Sequence, residues 1–492
     1  FRHILFQRYL YGTLDKVERV HLHHEVGTAL ERLHDGAEGT GPIAVQLALH
    51  FERAGNIEKA IHFLQQAGEK AIQVSANPEA IAHLGRALTL LARLPEPSGE
   101  EQRLERSERE LALSLALIMA RMGGTPGAEW ERAATRAREL CDQIGKTPEL
   151  SQVLGQISIL HYVRAEYQRA RELAQEGLIL AEEIGDPLLV ALGHWHLGFI
   201  FFGLGEQATA RAHLERVLSF YDPADHHRAF LQVRGSDAGV SALAYAASCL
   251  WCLGYPEQAV ERSQEALSLA TELGHPFSMA DVFCFGGCVL NRMRRNGAGL
   301  RRDAEALTRL SRRMGLTSFL GTGICYEGEA LAEAGEVEKG IVRMHEGLST
   351  LRSTGTRCYL SGTLGALARA QADNVQPEEG LATLAEALAM VEETGERWFE
   401  AELRRLRGEL LLMQGDEAQA EVDFLEAIEV ARRQSAKSWE LRATVSLCLL
   451  WQEQGRGEEA RRRLAEIYGW FTEGFETPDL QEARALLDEL SS

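Results

Sequence analysis

The stretch Gly395–Ala436, GERWFEAELRRLRGELLLMQGDEAQAEVDFLEAIEVARRQSA, decides the fold. Apolar residues recur at helical spacing from Ala401 to Gln414. Gly415-Asp416 interrupts the pattern, and Ala418 to Arg433 resumes it. The spacing predicts a helical hairpin, with Gly408 and Ala420 small where its two helices cross. A single hairpin cannot bury its own apolar face, so it needs copies on either side.

The copies are present as three columns in step. The small residue opening the second helix falls at Ala170, Ala210, Ala259, Gly299, Gly340, Gly380, Ala420 and Ala460, with gaps of 40, 49, 40, 41, 40, 40 and 40. Twelve residues before each stands Ser158, Gly198, Ala247, Gly287, Gly328, Ala368, Gly408 or Cys448. Seven residues after each stands Gly177, Val217, Ala266, Ala306, Gly347, Ala387, Ala427 or Ile467. Larger side chains at such crossings would push neighbouring helices apart. Gly185, Gly274, Gly315, Gly355 and Gly395 each stand where a hairpin's second helix needs a C-cap.

These columns resemble the tetratricopeptide repeat, with a period of about 40 in place of the usual ~34. The expected fold is all-α: a right-handed α-solenoid of TPR-like hairpins with a concave groove. Three regions are expected: 1–40, two helices; 41–145, irregular hairpins; and 146–492, eight regular repeats. The long gap places about nine extra residues near 221–239 (YDPADHHRAFLQVRGSDAG), read either as a tolerated loop or as a functional element.

Composition agrees. The 492 residues are 45% hydrophobic and 25% charged, with only 12 Pro. A net charge of -20 argues against wrapping nucleic acid or an anionic membrane. No apolar run reaches the ~18 residues that span a bilayer. Eight Cys without disulfide-scaffold density suit a reducing cytoplasm. The chain starts at Phe1 and not Met, which suggests a longer parent.

Catalytic motifs are missing. Gly145-Lys146-Thr147 looks like the end of a phosphate loop, but position 140 is Leu where a Gly is needed. No GxSxG, HExxH or kinase signature occurs, so a non-enzyme without cofactor or metal is expected. Two histidine groups, His21/His23/His24 and Asp225/His226/His227, lack a matching ligand set and read as ordinary helix residues.

Two features stand above background. Arg292, Arg294, Arg295, Arg301, Arg302, Arg309, Arg312 and Arg313 face only Asp303 and Glu305. They form either a solvated face paired with the next repeat or an anchor for an acidic partner, a phosphate or another domain. The repeat register also puts Cys252, Cys284, Cys288 and Cys325 on first helices, which line the groove of a solenoid. Small apolar filler competes there with a zinc or redox site, and Cys249-Leu-Trp-Cys252 lies within a helix. Trp195, Phe199, Phe202 and Trp251 share that register, as core or as anchors for a peptide or ligand.

The segments 395–412, 221–270 and 467–490 (IYGWFTEGFETPDLQEARALLDEL) resemble the C-terminal repeat region of bacterial multidomain ATPases of the STAND class. Members of that class are often described as predicted ATPases or class III adenylate or guanylate cyclases. Residues 1–31 are similar to the helical end of their ATPase module. The resemblance implies a cytoplasmic sensor or interaction arm. It would bind a protein, peptide or small-molecule effector in its groove and regulate nucleotide-binding and output domains of the parent. None of the family's catalytic residues lies here, so ATPase or cyclase activity is implied for a full-length parent only. A self-assembly scaffold is the alternative.

Overall fold

The computed structural model describes residues 9, 11–34, 40–121, 128–145 and 148–491. Residues 35–39 and 122–127, and Lys146-Thr147 of the would-be phosphate loop, lie outside them. Among the described residues the secondary structure is helical, without a strand. The chain divides into two compact units, one to about residue 147 and one from Pro148 onward.

The first unit holds α1 (Lys16–Leu33), α2 (Ala44–Arg53), α3 (Ile57–Gln73), α4 (Asn77–Leu91), α5 (Glu100–Ala120) and α6 (Ala128–Ile144). Its helix ends follow local chemistry. Asp15 and Glu18 form a reciprocal capping box on α1, and Asn56 caps α3 by accepting from the Lys59 amide at 3.2 Å. Leu47, Phe51, Ile61, Leu84 and Leu90 form the centre of its core.

The second unit is an α-solenoid of TPR-like hairpins. The pairs are α7/α8 (Pro148–Val163, Tyr167–Ile184), α9/α10 (Pro187–Gly203, Gln207–Phe220) and, after α11 (Pro223–Arg234), α12/α13 (Ala238–Leu253, Pro256–Leu273). Next comes α14, which starts as Pro276–Asp281, widens to a π-helix over Val282–Val289 and ends as Leu290–Met293. It pairs with α15 (Gly297–Met314). Then follow α16/α17 (Thr317–Glu333, Val337–Thr354), α18/α19 (Leu360–Asp373, Pro377–Thr394), α20/α21 (Glu400–Met413, Glu417–Arg433) and α22/α23 (Lys437–Glu453, Gly457–Tyr468). Helix α24 (Pro478–Glu489) closes the array.

The small columns stand at the crossings. A Cβ on Gly328 would lie 2.7 Å from the Gly340 carbonyl oxygen, and one on Gly198 would lie 2.6 Å from Leu214. At Gly408 the ring of Phe424 takes the space, 2.5 Å from where a Cβ would be. The five C-cap glycines have φ between +65° and +76°, a left-handed turn that a Cβ disfavours.

The two helices of a hairpin differ in burial. All sixteen residues of α12 are buried, whereas α13 buries only Pro256, Ala259, Ala266 and Ala270. A helix buried all round belongs to an interior, and one with a stripe faces water. First helices therefore form the inner wall and second helices the outer.

Successive turns of the coil touch. The Arg357 amide donates to the Val163 carbonyl at 2.8 Å, and the Arg397 amide to Gly203 at 2.8 Å. Ser438 Oγ donates to the Trp251 carbonyl at 2.5 Å. In each case the C-terminal end of an inner helix meets the start of the inner helix five hairpins later. The Val163 and Gly203 carbonyls at helix ends are thus satisfied by the next turn, and the Trp251 carbonyl, which already accepts from the Gly254 amide, gains a second donor. The groove expected from the sequence is therefore closed over α7, α9 and α12, where the next turn of the coil meets it.

Candidate partner-binding mouth

The centre of the coil is filled with aromatic rings. Trp195, Phe199, Phe202 and Trp251 lie inside, 4%, 2%, 0% and 2% exposed. Phe199 packs edge-on to Tyr162 (4.5 Å) and is 4.6 Å from Trp195. Phe202 stacks on Trp398 at 5.6 Å, and Trp251 meets Trp439 edge-on at 4.6 Å, both across the turn boundary. The rings hold the two turns together and present no free face to a ligand. Aromatic pairs of this kind add about 0.5–1.5 kcal/mol each beyond their buried area.

The thiols are buried too. Burial pushes Cys252 and Cys325 up to about 12 and Cys284 and Cys288 well above the usual thiol range, so they stay protonated. Cys252 Sγ lies 3.8 Å from Met293 Sδ, and Cys325 fills the space that Gly347 leaves open. Among the described residues no group of three or more His, Cys, Asp or Glu is placed to hold a metal ion.

The histidine groups have structural partners. His23 Nδ1 and His50 Nδ1 are 3.0 Å apart, and Tyr11 Oη is 2.9 Å from His23 Nε2. His227 Nδ1 lies 2.7 Å from Asp237, whose carboxylate also accepts from Tyr221 Oη and caps α12.

The structure parts the arginine run. Arg292 is buried, its Nε donating to Glu329 at 2.8 Å and its guanidinium 4.5 Å from the Tyr326 ring. Burial lowers Arg292 and its contacts with Glu329 more than reverse this, so its pKa is raised. Arg294 is half-buried, and burial lowers its pKa. Arg295 pairs with Glu482 (2.6 Å) and Asp479 (3.4 Å), and Arg301 with Glu305 (3.1 Å). Arg302 pairs with Asp303 at 2.8 Å. Arg309, Arg312 and Arg313 are exposed on the outer helix α15.

Arg292, Arg295 and Arg301 share one place: the wall of a cavity of about 950 Å³ at the end of the coil. Here the wall belongs to the inner helices α16, α18, α20 and α22, with Phe399 and Trp439 as its aromatic residues. Ala298, Ala330, Ala334, Gly365, Ala366 and Ala370 keep the wall smooth. Charges stand between them. Arg405 pairs with Glu402 at 2.8 Å and with Glu409, Arg442 with Asp479 at 2.6 Å, and Arg369 with Glu409 at 2.9 Å. Arg442 also donates to the Met293 carbonyl at 2.7 Å and lies 4.9 Å from the Trp439 ring. Burial alone would raise Glu402. Arg405 and Arg442 more than reverse that and hold it at about 2. The mouth is thus lined by fixed pairs of both signs, suited to a partner that carries both charges.

Sequence reasoning missed Glu402, Arg405, Glu409, Arg442 and Asp479. A signal existed: Glu402, Arg405 and Glu409 share one face of α20, and Arg442 stands one repeat after Glu402.

No protein-family model matches the chain. It is 26% identical over 458 residues to an uncharacterised protein of Rhizobium meliloti (strain 1021), covering 91% of this chain and 43% of that protein. The chain thus spans less than half the length of this curated relative. Among solved structures it is similar to a Rap protein complexed with competence and sporulation factor. The TM-score is 0.56 at 10% identity, covering 76% of this chain and 98% of that one. It is also similar, with a TM-score of 0.42 and 14% identity, to a STAND protein with a tetratricopeptide repeat sensor from Pyrococcus horikoshii, covering 97% of this chain and 74% of that one.

Proposed function

We propose that the chain is a non-catalytic sensor or interaction arm that binds a protein, peptide or small-molecule effector at the charged mouth. In this reading it regulates the nucleotide-binding and output domains of a longer STAND-type parent and needs no cofactor of its own. The observation that carries the reading is the contrast within one inner wall. Aromatic rings fill the centre of the coil, and at the mouth the same wall opens to about 950 Å³ lined by paired charges. The Rap structure of like fold, solved with a factor bound, is in keeping with it. The parent rests on the family resemblance of segments 221–270, 395–412 and 467–490. Among the described residues no helix is long and apolar enough to cross a membrane.

The purified chain is expected to turn over no ATP. Mass spectrometry of material co-purifying with the chain is expected to show a peptide or protein that Arg369→Glu releases. Arg369 is half exposed and pairs only at the rim, so its reversal leaves the fold intact. ATP turnover, or identical co-purifying material from both forms, would contradict the reading.

A further inference from the structure

Six arginines and seven acids stand in the wall of the mouth. Every arginine has an acid: Arg369, besides Glu409, holds Asp373 at 3.1 Å, and the others are paired as described above. Six of the acids are taken up in this way. The seventh, Glu333, makes no hydrogen bond or ion pair with any described residue. An acid on an outer helix needs no partner, because water serves it. Glu333 is instead the last residue of the inner helix α16, on the cavity wall. Gly297, at the start of α15, keeps the space beside it open: a Cβ there would lie 2.9 Å from Glu333 Oε2.

The charges around Glu333 do not supply the missing cation. Arg292 and Arg295 lie near enough to lower its pKa, but Arg292 is committed to Glu329 and Arg295 to Glu482 and Asp479. Arg301 on α15 and Arg369 on α18 are held by Glu305, Asp373 and Glu409. The Glu333 side chain is open to the water of the mouth, yet the walls thin that water out. This desolvation, with Glu329 one turn before it, raises Glu333 to about 7, against the pull of Arg292 and Arg295. The wall is therefore short of one positive charge at this point.

We propose that Glu333 is the recognition point for a positively charged group of the occupant, an ammonium or a guanidinium. This rests on the mouth being the binding site, and it specifies the chemistry of what binds there. A partner of both charges has its cation fixed at Glu333, with Leu406, Val445 and Leu449 available to its apolar parts. Cation and proton compete for the one carboxylate. Binding at neutral pH therefore expels the proton that a fraction of molecules hold on Glu333, and affinity rises with pH through 7.

The test uses the full chain and three probes: acetyl-Leu-Lys-Leu amide, its neutral counterpart with norleucine in place of lysine, and cadaverine. Dissociation constants are read by calorimetry at pH 6 and pH 8, between which lysine and cadaverine keep their charge. At pH 8 a cationic probe is expected to bind about tenfold or more tighter than the norleucine peptide, the worth of one charged hydrogen bond. The lysine peptide ahead of cadaverine assigns a basic side chain, and the reverse assigns a free amine. Affinity for the cationic probe is expected to fall about tenfold from pH 8 to pH 6 as Glu333 takes up its proton, while that for the norleucine peptide stays. Glu333→Gln, a change of like shape at an unpaired side chain, is expected to remove both differences. The pH comparison needs no variant and stands should this one not fold. Equal or absent binding of the cationic and neutral probes, or a preference and pH dependence unchanged in Glu333→Gln, would overturn the proposal. None of these outcomes touches the mouth as a binding site, which is judged by the material that Arg369→Glu releases.

Discussion

Tyr167 Oη donates to the carboxylate of Glu396 at 2.6 Å, although 229 residues separate them. The same carboxylate accepts from the Tyr359 amide at 2.7 Å and from Ser361 Oγ. Glu396 is 1% exposed. It sits at the seam where α8, on the first turn, meets the approaches to α18 and α20 on the second. Burial raises its pKa, and the donors from Ser361 and Tyr167 offset part of that. One buried acid thus ties two turns that touch nowhere along the sequence.

The crossings are tested by a pair of glycines. A methyl at Gly328 meets backbone, the Gly340 oxygen at 2.7 Å, whereas one at Gly286 meets the Ala244 methyl at an ordinary 3.5 Å. Gly328→Ala should therefore cost about 1–3 kcal/mol in urea denaturation, and Gly286→Ala well under 1. Equal effects at the two sites would show that the small columns are not close approaches.

Buried histidines set the acid limit. Burial lowers His196 to about 3, helped by Arg234, and lowers His275 to about 4, helped by His227. Both are neutral in the fold and gain a proton on unfolding below about pH 6.5. Their contribution is intact above that pH and is lost as pH falls toward 4, at about 1.4 kcal/mol per pH unit per histidine at most. Asp281, raised to about 6 by burial against the pull of Arg234, acts in the opposite sense, weakening the fold as pH rises through 6. The reading is the slope of stability between pH 7.5 and 5. His275→Asn should flatten it, and an unchanged slope would refute the assignment.

The charged wall of the mouth is structural before it is functional. Arg442 is tied to Asp479 and the Met293 carbonyl, and Arg442→Met leaves buried acids without their cation. The expected loss is about 3–5 kcal/mol. Adding Asp479→Leu should recover part of it, because the stranded charge goes. A double variant as weak as the sum of the singles would contradict the pairing. Glu402, held at about 2, contributes stability above pH 4.5 that fades as pH falls toward 2.

Much of the fold was legible because the repeat leaves side-chain marks. Gly328, Gly340 and Gly408 are small for a reason that acts between neighbours in sequence. The contact between turns leaves no such mark. The Arg357 amide reaches the Val163 carbonyl through backbone atoms that every residue has. Glu396 reads as a surface acid in a Gly-Glu-Arg turn, and only the second layer of the coil buries it. Trp195, Phe199, Phe202 and Trp251 were readable as inward-facing, but whether the inside is hollow depends on the pitch of the coil. The insertion could have been read better. Asp222-Pro223 and Gly235 are ordinary start and stop signals of a helix. Sequence separation likewise hid the mouth, where Arg295 and Asp479 meet across 184 residues.

The closed coil is tested most directly by a double-mutant cycle on Tyr167 and Glu396, using Tyr167→Phe, Glu396→Gln and both together. Stability is read by chemical denaturation. Stacked turns predict a coupling energy of about 1 kcal/mol or more, since each single change strands the other's buried partner. Effects that add to within about 0.3 kcal/mol would mean that the two turns do not meet and that the coil is open.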